Sequence, residues 1–156
     1  MKDFKEIFES RYTWIEGFMR NVRRYANRLA MIDPEKGKPW TYNELNREVN
    51  RLCNALHRSG VKKGDVVMVQ MLNCPEFVYA YVACHKMHAV CCPLSFRISA
   101  GETAFNIDDS KPKVFICCNS KMESIEKALK QTEHKPECLV VTSPLALSQE
   151  EEAKDS

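Results

Sequence analysis

Glycine is scarce, with five residues in 156, at positions 17, 37, 60, 64 and 101. No two stand closer than Gly60 and Gly64, so there is no Walker loop and no Gly-x-Gly-x-x-Gly turn, and nothing here could cradle a triphosphate by itself. A Gly-x-Ser-x-Gly elbow is missing as well, which removes that route to acyl transfer. No apolar run approaches the ~20 residues that cross a bilayer, so no transmembrane segment is expected. The opening Met1–Glu6 alternates charge with apolar residues in place of an h-region, and no signal peptide is expected. The net charge of +2 is too small to argue for a nucleic-acid partner. It is unevenly spread: residues 1–63 hold 14 Lys/Arg against 8 Asp/Glu, and residues 64–156 hold 9 against 13, which reads as solvated surface before it reads as a binding face.

Eight cysteines are present, none in a Cys-x-x-Cys spacing. Cys91-Cys92 and Cys117-Cys118 fall inside expected strands, where cysteine acts as a small hydrophobe. The expectation is free thiols in a reducing cytoplasm, without a disulfide framework.

What is present is a 44% hydrophobic, 28% charged chain able to bury a core, organised around the stretch from Glu76 to Arg97. Phe77–Cys84 carries no charge and is apolar on every side, so a helix buried all round is expected. Ala89-Val90-Cys91-Cys92 reads as a strand, which Pro93 should stop because proline has no ladder donor. The chain then emerges at Leu94-Ser95-Phe96-Arg97.

Before this stretch, Thr13 and Glu16 have capping-box spacing, and Ile15, Phe18, Val22, Tyr25 and Ala26 follow as a helical stripe. Leu29–Ile32 and Pro39–Thr41 read as a hairpin. Thr41 and Glu44 cap a second helix with the stripe Leu45, Val49, Leu52 and Leu56, ended by Gly60 in a left-handed position. Val66–Val69 follows as a buried strand, and Asn73 with Glu76 repeats the cap spacing around Pro75. After Arg97, Ser99 and Glu102 cap a helix with Ala104 and Ile107, Val114–Cys117 is a strand, Ser120 and Glu123 cap a helix, and Leu139–Val141 is a last strand. Strands alternating with helices specify an α/β fold: a parallel sheet with right-handed βαβ crossovers, plus a small N-terminal hairpin. The expected organisation is a leader over 1–12, one α/β region over 13–142, and an acidic loop or tail over 143–156.

Two candidate sites compete with bland readings. Cys84, His85, His88 and Cys91 form a metal-like cluster, since Cys84 and His88 share a helix face. Their spacing matches no zinc module, and Cys84 and Cys91 are accounted for as core residues. Arg97 follows a strand end and precedes the cap Ser99, so a helix N-terminus and a forked guanidinium could face one anion. A solvated arginine beside a turn is the alternative there.

An ordered string of motifs carries a resemblance. Trp40-Thr41-Tyr42-Asn43-Glu44-Leu45 resembles the Thr-Tyr-x-Glu-Leu entry of the adenylate-forming (AMP-binding) superfamily. Gly60-Val61-Lys62-Lys63-Gly64-Asp65, Leu72-Asn73-Cys74-Pro75-Glu76-Phe77 and the element from Lys86 to Leu94 continue it in order. Pro93-Leu94-Ser95-Phe96-Arg97 is similar to the Pro-Leu-Asn-Pro-Arg of acyl- and aryl-CoA ligases, which makes acyl-CoA synthetases the nearest branch. His88 stands where the family has glycine, and Phe96 where it has proline.

The resemblance implies an incomplete N-terminal subdomain of the adenylate-forming fold. The parent would be an ATP-dependent acyl-CoA synthetase using ATP, Mg and CoA, joining a carboxylate to AMP and then to the CoA thiol. It implies that Arg97 contacts a CoA phosphate, that the remainder of the synthetase is the partner, and that no catalytic residue lies in this chain. The phosphate loop and catalytic lysine of the family lie beyond the resembling region. Two other classes stay open at this point: a non-catalytic α/β module that binds a partner, and a Cys/His metal protein.

Overall fold

The computed structural model describes residue 5, residues 13–34 and residues 36–142. The expected acidic tail over 143–156 and the leader over 1–12, apart from Lys5, lie outside the described residues. Within them the elements are α1 (Trp14–Arg24), β1 (Leu29–Ile32), β2 (Pro39–Thr41), α2 (Tyr42–Arg58), β3 (Val66–Gln70), α3 (Pro75–Met87), β4 (Val90–Leu94), α4 (Ala100–Ser110), β5 (Val114–Cys118), α5 (Met122–Leu129) and β6 (Cys138–Thr142). A single 3₁₀ turn, Asn119–Lys121, leads into α5.

β3 to β6 form one parallel sheet in the order β4-β3-β5-β6, and β1 pairs with β2 as a separate antiparallel hairpin. The strand alternation sorts the core into two faces. Val67, Val69, Val114 and Ile116 pack with Val49 and Leu56 of α2 and with Ala80, Val82 and Ala83 of α3. Met68, Phe115 and Cys117 pack with Ile107 of α4 and Ile125 of α5. The result is a sheet covered by α2 and α3 on one face and by α4 and α5 on the other, which is why β5 is buried at all five positions. A tie crosses α2 and α3: Lys86 Nζ donates to Asn46 Oδ1 at 2.7 Å and Asn50 Oδ1 at 2.6 Å. Burial of that ammonium pulls its pKa below the ordinary lysine value.

Several expectations need correction. Pro93 does not stop β4; it lies inside the strand, opposite Val69. It is tolerated because β4 is a sheet edge, where a missing donor on the outer side breaks no ladder bond. Asn73 does not cap α3. The N-cap is Cys74, with Pro75 at the start of the helix and Phe77 N–H donating to Cys74 O at 3.1 Å. Nor does Ser120 cap α5: Lys121 takes that place, and the Ser120 hydroxyl lies 3.2 Å from the Cys118 thiol. Tyr25 is not in the α1 stripe; the helix ends at Arg24, and Tyr25 is an exposed C-cap. α3 is not buried all round either, because Tyr81 is exposed and packs edge-on against Trp14, with ring centroids 5.7 Å apart.

His88 resolves the question of a bulky side chain at the turn from α3 into β4. It adopts φ 55° and ψ 28°, the left-handed C-cap a glycine would take, and its N–H reaches the carbonyls of Cys84 and His85. Ala89 N–H donates to Cys84 O at 2.9 Å, completing the stop. The His88 carbonyl then accepts from Gly64 N–H at 2.9 Å, tying this turn to the one that opens β3. The side chain points to solvent, so it costs strain without disturbing packing. Replacing His88 with Gly should raise stability by up to about 1 kcal/mol in denaturant unfolding, whereas a β-branched Val should lower it.

Candidate functional site

The order β4-β3-β5-β6 sends the chain from β3 outward to β4, then back across β3 to β5. The strands beside β3 are therefore reached by connections running in opposite directions, which makes the carboxyl ends of β3 and β5 the topological switch point, where sheets of this kind form their crevice. Three segments meet there: the residues after Gln70, the Ser95–Ile98 turn, and the 3₁₀ turn Asn119–Lys121.

The Ser95–Ile98 turn is built by bonds at each of its parts. Arg97 N–H donates to Ser95 Oγ at 3.3 Å. The Ser95 carbonyl accepts from Gln70 Nε2 at 3.2 Å, so the turn is fastened to the end of β3. Phe96 receives Lys121 Nζ 4.6 Å above its ring centroid, a cation–π contact that reaches the turn after β5. The turn thus spans the crevice from one neighbour of β3 to the other. Its arginine side chain is exposed, and among the described residues no ion pair neutralises it.

The N-terminus of α4 does not behave as expected. Ser99 and Glu102 form a full capping box: Glu102 N–H donates to Ser99 Oγ at 3.3 Å, and Glu102 Oε2 accepts from Ser99 N–H and from its hydroxyl, each at 2.8 Å. The Glu102 carboxylate puts a negative charge at the helix start and disfavours a second one there.

The residues suggested for a metal are not brought together as ligands. Among the described residues no three of His, Cys, Asp and Glu are grouped to hold an ion. Cys84 is sealed in the core and held protonated by its hydrogen bond with Cys91 and by burial. His85 packs its ring on Tyr81 and Trp14, with centroids 4.6 and 5.2 Å away. A groove of about 530 Å³ lined by Trp14, Phe18, Tyr42, Leu45, Val78 and Val82, among others, includes no residue of the strand ends.

Sequence reasoning singled out Arg97 but missed Gln70, Lys121 and Thr103. One signal was available: β3 reads Val-Val-Met-Val-Gln, and a glutamine closing such a run at a strand's carboxyl end is out of place for packing alone.

Comparison with known proteins bears on this arrangement. The model of a family described as AMP-binding enzyme matches residues 18–156. The crotonobetaine/carnitine–CoA ligase of Proteus mirabilis is 33% identical over 115 residues, which are 72% of this chain and 22% of the relative. That of Escherichia coli is 32% identical over 90 residues, 56% of this chain and 17% of the relative. The chain therefore spans about a fifth of the length of the curated relatives it matches. Among solved structures, an anthranilate CoA ligase in complex with anthranoyl-AMP superposes with a TM-score of 0.76 at 23% identity, over 82% of this chain and 24% of that one. A fatty acyl CoA synthetase from Mycobacterium tuberculosis gives 0.73 at 25% identity, over 85% of this chain and 26% of that one.

The ionised Glu102 has a measurable signature. Its carboxyl is held below the ordinary value of 4.5 by the Ser99 backbone N–H first and the Ser99 hydroxyl second. A depressed folded pKa gives stability that is complete above the unfolded value and is lost as pH falls through the folded one. Glu102→Gln keeps the cap but removes the titration, so thermal midpoints measured between about pH 5 and about pH 3 should fall less steeply for the variant than for the parent.

Proposed function

The chain belongs to the AMP-binding enzyme family, as its N-terminal part, and we propose that it supplies the first portion of an ATP-dependent acyl-CoA synthetase. The parent would activate a carboxylate as its acyl-AMP and then transfer the acyl group to the thiol of CoA. This portion would serve as scaffold and as one wall of the ligand cleft, with Arg97 contacting a CoA phosphate. The observation that carries the reading is the Arg97 turn at the switch point, with Arg97 exposed and the neighbouring Phe96 ring covered by a second cation, Lys121. A guanidinium presents a planar fork of donors that fits phosphate oxygens.

The fit to ATP and Mg is poor by the same standard. The described strand ends offer no glycine cradle, and the N-terminus of α4 is taken by Glu102. Those groups would be held by the remainder of the synthetase, which would also cover exposed apolar side chains such as Phe105, 70% exposed on α4, and Val141 on the edge strand β6. The boundaries proposed for this portion are residues 13–142, with the compartment left to the parent; among the described residues no helix is long and apolar enough to cross a membrane.

Two outcomes are expected. The chain alone should release no pyrophosphate from ATP and a carboxylic acid in a coupled assay; turnover above the no-protein control would overturn the scaffold assignment. In NMR titrations, CoA should bind about tenfold tighter than 3′-dephospho-CoA, the worth of one charge-assisted contact, and Arg97→Ala should abolish that difference.

A further inference from the structure

Gln70 is the residue whose presence the fold does not explain. It closes β3 on the face that Met68 shares with α4 and α5, it is 1% exposed, and every other position of that strand is apolar. Its Nε2 donates to the Ser95 carbonyl at 3.2 Å and to Thr103 Oγ1 at 3.3 Å. Thr103 in turn donates its hydroxyl to Ser99 O at 3.0 Å, so it can only accept from the glutamine, which fixes the amide's orientation. Oε1 is buried and meets no donor among the described residues.

A buried acceptor without a donor is unfavourable, and a methionine of nearly the same shape would avoid it. What Gln70 adds is a fastening: one amide joins the carboxyl end of β3 to the turn carrying Arg97 and to the first turn of α4. The neighbouring tie, Lys121 over Phe96, engages the next residue from the far side of the crevice.

We propose that Gln70 is a positioning residue that holds the Ser95–Ile98 turn, and with it Arg97, in place at the crevice. Its consequence for ligand binding rests on the reading of Arg97 as a CoA phosphate contact; its consequence for the turn does not. Ser95 is exposed, so its carbonyl can turn to solvent once the amide is gone, and Thr103 keeps its bond to Ser99. Removing the amide therefore frees the turn without stranding a buried donor.

Gln70→Met in the full 156-residue chain separates this role from a structural one. The variant should unfold at the same denaturant midpoint as the parent or a higher one. The backbone amide of Arg97, bonded to Ser95 Oγ, should exchange with deuterium about tenfold faster, as expected when a local opening is eased by the loss of one hydrogen bond. The preference for CoA over 3′-dephospho-CoA should shrink by more than half in the same NMR titration. Unchanged exchange at the Arg97 amide overturns the proposal, and so does a variant that fails to fold, since the fold would then need the amide. A parent chain with no preference between the two nucleotides sinks the phosphate reading alone; the exchange rates still decide the role of Gln70.

Discussion

The molecule depends on β3 being hydrogen-bonded along both edges and covered on both faces. Val66–Gln70 pairs with β4 on one side and β5 on the other, and its alternate residues feed the two halves of the core. Each helix that covers the sheet packs on side chains of β3 or of its partner β5. Because parallel neighbours need long crossovers, the same pairing forces α3 and α4 to leave β3's flanks in opposite senses. The switch point at the strand ends is thus a by-product of how the central strand is buried, and the β4–α4 connection that carries Arg97 is fastened beside it by Gln70.

That dependence explains what could be read in the chain beforehand. Short apolar runs such as Val114–Cys117 and the stripe Leu45, Val49, Leu56 are signals of burial, and burial in a three-layer α/β unit is decided by local pattern. The structure agrees with them to within a residue or two. Thr41–Glu44 and Ser99–Glu102 were legible because a capping box is closed within four residues. Asn73 and Ser120 have the same spacing and failed, since a cap can be displaced by its surroundings. Pro75 starts its helix through the backbone of Cys74, and Ser120 turns its hydroxyl to a thiol. Pro93 failed for a different reason: whether a proline breaks a ladder depends on which strand lies at the edge, and edge position is a property of strand order, invisible in any local window.

Of the proposed site, only the exposed end can be read in the sequence. Arg97 stands out in a sequence because charge after a strand is easy to see. The residues that give it a fixed place are separated from it by 27 positions at Gln70 and 24 at Lys121, and their roles exist only once β3 lies between β4 and β5. The α4 N-terminus shows the converse. Its sequence suggests an anion site, yet the signal that announces the helix, Ser99 with Glu102, sets the protein's own carboxylate at the helix start, where it disfavours a second negative charge.

With Glu102 held ionised at the start of α4 by the bonds from Ser99, and the Lys121 ammonium over Phe96, the turn lies among charges of both signs. A phosphate contact at Arg97 is worth something only if the turn does not wander. A loop of exposed residues bridging two strand ends has little burial of its own to hold it. The amide of a glutamine set into an otherwise apolar strand is the tie that supplies the missing constraint, at the expense of an unsatisfied oxygen in the core. Local disagreement between a residue and its packing environment is where function tends to be written, and in this chain that disagreement lies one layer beneath the arginine.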